Sequence, residues 1–476
     1  MKLNREGAAQ SAPPYNGQMA HVNKAKGRLM VAAGIIASLV LIGVYVVFFS
    51  RLDIVPAAQD LPSAAKAYRQ AGFPWTAKDL DPNPPVRDED NAAPLLNEAF
   101  SALGGQSLTN LPLVESKRDV PNAELTLKPI SLGLKLAVLA GNKPNLDFHR
   151  DWDRSFVLLF PEYARHKGFV KALCMRARCE ALRGETQKAN DDIATALRLS
   201  ELAGEEPNLI SALVQIACDS IALKAVEFCA GTESNNRAAL QGLLKTVEEN
   251  KVSPDFRRAL RGEAYMEVAG LRNFSSQQII ASMQDSTSDS SSPPPQLPAD
   301  LQRDGYPSSI LNRAFLDRCL RTWVAVGPLM QYPSQDPEEV GKALDKIAED
   351  DSKDFHASTI ILEMLLPVFS QAGQAVKKRE AQELTDLALL KALTMHSESG
   401  RFPNAIAQIP GAWIDPFNGQ PLRLKKMAGG IRIYSVGPDR VDNGGLTKSE
   451  TKTEQFDVVA AYPPIKSSSS AKPSIR

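Results

Sequence analysis

The chain is poor in the residues that carry redox, zinc and nucleophilic chemistry. Its 476 residues include five cysteines and five histidines. No CxxC pair occurs, which removes the usual spacing of a zinc site, and so few cysteines cannot staple a chain of this length. Cys174, Cys179, Cys218, Cys229 and Cys319 fall in helix-like stretches and read as small buried thiols. A bridge between neighbouring helices is the alternative for an exported chain. Cys218 and Cys229 are three turns apart on one helix and cannot reach each other. No excess of either charge exists, with 55 basic and 55 acidic residues. That balance excludes the electrostatic footprint of a nucleic-acid binder. No G-x-S-x-G, HExxH or P-loop is present. The sequence therefore reads as a protein without catalytic activity.

Against these absences stands one long hydrophobic run, LMVAAGIIASLVLIGVYVVFF, from Leu29 to Phe49. It is uncharged and matches the roughly 20 helical residues that cross a bilayer. Residues 29–50 are thus expected to be a single transmembrane helix that contacts the membrane. Lys2, Arg5, Lys24, Lys26 and Arg28 precede it, against one acid, Glu6, whereas Asp53 and Asp60 accompany the lone Arg51 beyond it. The positive-inside rule puts residues 1–28 in the cytoplasm and the remainder outside. A cleaved signal peptide is the competing reading, but its apolar core would be shorter and followed by small residues. Gly34 and Ser38 form a small-xxx-small pair suited to helix approach.

The ectodomain is 43% hydrophobic along with the rest of the chain, enough for packed cores. Residues 51–160 read as a juxtamembrane, mixed helical region. Asp60 is expected to cap a short helix with Pro62 in its first turn, and Asp90 to cap a helix stopped by Gly104 and Gly105. Within NLDFHRDWDR, alternation places Asp147, His149, Asp151 and Asp153 on one face of an edge strand, either as an exposed polar face or as metal ligands. Residues 161–274 read as helices with apolar stripes at i, i+3, i+4, i+7, and Asn235 and Ser253 as N-caps. The Pro207-initiated helix is apolar on most faces and should be central. Serine, proline and aspartate make 275–305 a disordered linker. Helices resume over 306–396, with Asp336 as cap, Pro337 at N1 and a break near Pro367 and Gly373. Residues 397–464 form a tail, and 465–476 a disordered C-terminus.

Two resemblances add to this. Ala177, Gly184, Ala189, Ile193 and Ala196 have the small-residue spacing of a tetratricopeptide-type helical hairpin, with Glu180 where the aromatic usually stands. In the tail, Gly400-Arg401-Phe402-Pro403, then Asp415-Pro416-Phe417 with Gly419 and Pro421, then Tyr434-Ser435 with Gly437 and Asp439, occur in order. This resembles the C-terminal region of the type II secretion major pseudopilin. The resemblance implies a small antiparallel sheet and a calcium loop in which Asp439, Asp442 and Asp457 supply oxygen ligands. A glycine-rich turn whose aspartates bond their own backbone is the alternative. The bottom-up reading also makes LRLKK and GIRIYSV a hairpin around MAGG. Gly27 is followed by Arg28, and Ala32 replaces the glutamate of pilin-type processing segments. The whole chain therefore looks like a membrane-anchored bacterial protein combining such parts. The expected fold is mainly α: an N-terminal transmembrane helix, a helical-hairpin ectodomain and a small α+β tail. The expected role is an interaction or scaffold protein of the inner membrane with a protein partner. The alternative is a divergent component of a type II secretion or pilus-like assembly.

Overall fold

A computed structural model describes residues 57–250, 253–274, 305–331, 336–353, 369–451 and 455–465. The expected span 29–50, the tail 1–28, residues 275–304 of the linker and the last residues from 466 lie outside them. The described chain is mainly helical and closes with a small sheet.

The first helix, α1, covers 57–70. Asp60 and Pro62 therefore lie inside it rather than at its start, and Asp60 pairs with Arg321 instead of capping. Next come α2 (Ala93–Ala102), α3 (Val120–Leu127) and α4 (Ser131–Gly141). The start of α2 is held by Asn91, not Asp90. Asn91 Oδ1 accepts from Ala93 N at 3.0 Å and Asp147 N at 3.0 Å, and its amide donates to Asp147 O at 2.8 Å. An amide can donate and accept, so it joins helix and neighbouring loop where a carboxylate could only accept.

The central helices are α5 (Pro161–Arg183), α6 (Thr186–Ala203), α7 (Leu209–Thr232), α8 (Arg237–Glu249) and α9 (Phe256–Asn273). Helices α5 and α6 form a hairpin across Gly184, and Ala177, Ala189, Ile193 and Ala196 are buried there. Asn208 caps α7, accepting from Ser211 N at 2.7 Å. The caps of α8 and α9 fall one and two residues after the expected Asn235 and Ser253: Asn236 accepts from Ala239 N and Asp255 from Arg258 N. In each case the side chain three residues before the accepted N–H is the one that reaches it.

Helices α10 (Ile310–Gln331), α11 (Pro337–Lys353) and α12 (Phe369–Ser399) complete the helical body. Asp336 caps α11 as expected, accepting from Glu338 N at 2.9 Å. Pro367 lies outside the described residues, and Gly373 does not break α12. It lies inside the helix, where a Cβ would collide with the Pro337 carbonyl, so its role is close packing of α11 on α12. The tail adds β1 (Arg423–Met427), β2 (Gly430–Ser435), the short α13 (Lys448–Thr451) and β3 (Val458–Tyr462). The sheet is antiparallel in the order β1-β2-β3, with Met427 opposite Gly430 and Ile433 opposite Ala460.

Two large cores result. One gathers α2 to α8, the C-terminal half of α12 and the sheet residues Ile431, Ile433 and Ala460. The other gathers α1, α9, α10, α11 and the start of α12, around Trp323 and Phe369. Helix α12 runs through both. All five cysteines are free and buried, Cys319 in the second core and the other four in the first.

The expected edge strand at 147–153 does not form. His149 takes φ 51°, and a 3-10 turn follows at Trp152–Val157. Arg150 is drawn inward: Glu206 and Glu162 pair with it, and Phe148, Phe160 and Tyr163 surround it. A buried, paired guanidinium in mid-segment overrides the alternation.

Candidate functional site

Helix α7 is the one described helix long and apolar enough to cross a membrane. Its surroundings are those of a core helix, packed by α5, α6, α8, α9 and α12. Cys218, Ala222, Val226 and Cys229 face inward. Two carboxylates, Asp219 and Glu227, face inward with them. Asp219 pairs with Arg379 of α12 at 2.8 Å, both almost fully buried, and Arg379 also meets Glu383 at 2.5 Å. Glu227 takes Lys224 Nζ at 2.5 Å and accepts the Ala461 N–H of β3 at 3.0 Å.

One stripe of α7 remains uncovered. Ile210 is 47% exposed and Leu213 39%, and Ala217 and Ile221 continue the line half-buried. These positions share a face because three or four residues make a helical turn. Ala217 and Ile221 border a groove of about 620 Å3 between α5, α7 and the irregular segment Thr109–Val114. Its floor is Cys174 and Met175, and its edge carries Leu111 and the half-exposed Leu113.

The rim is basic. Lys167, Lys171 and Arg178 of α5 and Lys224 of α7 line the groove, with no carboxylate among the lining residues. Lys171 Nζ donates to Thr109 O at 3.1 Å, and Arg178 donates to Val114 O and Lys224 O at 3.2 Å. Arg178 also stacks on Phe228 at 4.8 Å. These contacts hold the segment against α5 but neutralise no charge. Among the described residues, only Lys224 of the four pairs with a carboxylate.

A larger cavity of about 930 Å3 lies where residues 79–90, 145–152, the α6–α7 turn and the start of α9 meet. It is rich in carboxylates, yet most of them hold its own walls. Asp79 accepts from Trp75 N and Thr76 N, and Asp90 pairs with Arg87. Asp255 caps α9, Glu206 pairs with Arg150, and Glu205 accepts from Leu146 N at 2.5 Å. Burial pushes the Glu205 carboxyl up to about 7, against the pull of the Leu146 N–H.

In the tail loop Asp439, Asp442 and Asp457 each bond donors of the segment Val441–Gly445. Asp439 accepts from Val441 N at 3.1 Å and Asn443 Nδ2 at 3.0 Å. Asp442 accepts from Gly444 N at 2.9 Å and pairs with Arg423 at 2.9 Å. Buried Asp457 accepts from Asn443 N at 3.2 Å and Gly445 N at 2.7 Å. The carboxylates thus face donors of their own neighbourhood. Among the described residues, no group of three or more His, Cys, Asp or Glu side chains converges in a way that could hold a metal. Asp147 and His149 meet each other at 3.1 Å, whereas Asp153 turns to Tyr265 Oη at 2.6 Å.

The groove residues escape a reading of the sequence. Lys167, Lys171 and Arg178 do share one face of α5, at i, i+4 and i+11, and that stripe is the available signal. The uncovered line on α7 has none, because apolar residues stand on most faces of that helix. No family model, curated protein or solved structure matches this chain.

Proposed function

We propose that this chain is a membrane-anchored scaffold of the bacterial envelope that holds a partner protein on its helical ectodomain and carries out no reaction itself. The run at 29–50 supplies the inner-membrane anchor, with residues 1–28 cytoplasmic and the body periplasmic. One observation carries the docking role: the uncovered stripe Ile210, Leu213, Ala217 and Ile221 on a helix whose other faces are buried. Leaving a large aliphatic side chain in water forgoes about 1.5–3 kcal/mol of burial. Ile210 and Leu213, exposed on one face that leads through half-buried Ala217 and Ile221 into the groove, are the apolar surface that a partner would cover.

The test places a photo-crosslinking amino acid at Leu213 in the full chain in cells, with Lys245 on α8 as control. A single defined protein adduct at Leu213, absent at Lys245 and retained in carbonate-washed membranes, is the expected result. No adduct at Leu213 refutes the docking surface. Loss of the chain from washed membranes refutes the anchor.

A second reading, a component of a type II secretion or pilus-like assembly, draws support from the tail. Fully buried Asp415 accepts from Phe417 N, Ser435 Oγ and Val436 N at 2.8–3.0 Å, linking the Asp-Pro-aromatic turn to the Tyr-Ser strand. On this reading Asp439, Asp442 and Asp457 would be the calcium ligands. Normal export of secreted enzymes from a deletion strain would rule it out.

A further inference from the structure

We infer that the occupant of the α5–α7 groove is an acidic amphipathic helix of a partner protein. This rests on the reading of the groove as the docking site and adds the chemistry of what docks. Four cations line the groove and no carboxylate does, and three of the four have no carboxylate partner among the described residues. A segment bearing like charge would meet that rim at a cost, and one bearing carboxylates would be drawn to it. The apolar floor and the α7 stripe demand a ligand with apolar residues on one side and acids flanking them.

The ligand is a helix because the groove does not offer a strand edge. The bordering segment Thr109–Val114 forms no strand and carries Pro112, which has no N–H to give a pairing strand, and its Thr109 and Val114 carbonyls already accept from Lys171 and Arg178. The uncovered line instead follows α7 from Ile210 to Lys224, about 21 Å at 1.5 Å per residue, the length of roughly four helical turns. A helix with anchors at i, i+3, i+4 and i+7 fits such a surface.

The test uses the full chain in phosphatidylcholine nanodiscs and two synthetic helical peptides about five turns long. They share leucines at i, i+3, i+4 and i+7 and differ only in having glutamate or lysine at the polar positions. Binding is read by fluorescence anisotropy. The acidic peptide should bind at least about tenfold tighter than the basic one, and less tightly as salt rises. Lys167→Glu with Lys171→Glu should reverse the preference, and Leu213→Asp should weaken both peptides. Lys167→Glu alone, which leaves the Lys171 bond to Thr109 intact, should shift the preference the same way. Equal binding of the two peptides, or binding indifferent to salt, overturns the inference. So does binding of phosphatidylglycerol vesicles without the acidic peptide. If neither peptide binds while Leu213 still crosslinks to a protein in cells, the acidic helix is wrong and the docking site stands. If the crosslink joins only parts of this chain or two copies of it, both are wrong.

Discussion

Glu205 and Glu263 flank the turn between α6 and α7, and both are partly buried carboxyls with a single backbone donor. Glu205 accepts from Leu146 N, and Glu263 from Leu209 N at 2.7 Å. Burial raises each from 4.5 to about 7. The sign is opposite to that of a salt-bridged acid. The folded protein binds more protons than the unfolded chain between about pH 4.5 and 7, so stability is full below that window and falls as pH rises through it. The fall is on the order of 1–3 kcal/mol for each group. The melting temperature should therefore drop from about pH 5 to about pH 8, and Glu263→Gln, which keeps the acceptor but cannot ionise, should flatten that drop. An unchanged slope in the variant would refute the assignment. Nothing at this scale was legible beforehand, since burial of Glu205 and Glu263 depends on distant packing. The cysteines were legible as buried thiols because they lie among apolar residues of helices.

At the scale of elements, α9 meets the α6–α7 turn so closely that a Cβ at Gly262 would overlap the Pro207 carbonyl. Backbone cannot yield as a side chain does, so Gly262→Ala should destabilise the protein by about 1–3 kcal/mol, read as a lower denaturant midpoint at unchanged slope. No loss would mean that α9 stands further off. The helices were readable from their apolar periodicity, and the tail hairpin from its turn residues. The caps were misplaced by one or two residues because Asn and Asp abound near each start, and only the packed backbone selects which one faces the open N–H groups. In the tail loop, calcium would have to displace the N–H groups of Asn443 and Gly445 from Asp457. The expected outcome is no calcium-dependent rise in melting temperature of the full chain at millimolar calcium. A rise abolished by Asp439→Ala would instead establish the ligand set that the pseudopilin resemblance implies.

Among the described residues two large cores are threaded by α12, and the candidate groove belongs to the first. The apolar periodicity makes the mainly helical body readable. The groove was not readable, because Ile210, Leu213 and Ile221 look in sequence like every other apolar residue of α7, and which of them stays uncovered depends on α5 and the segment at 109–114. The distribution of cysteines has a practical consequence. Burial holds the thiols of Cys174, Cys179 and Cys229 at about 11–12 and pushes Cys218 and Cys319 up as well. A folded molecule at neutral pH thus presents almost no thiolate, and, Cys174 on the groove floor apart, the thiols meet an alkylating reagent only when the surrounding helices part. With Cys319 in one core and the other four in the other, the native chain carries its own clocks for the opening of each half, and mass spectrometry of the alkylated peptides would show which half opens first.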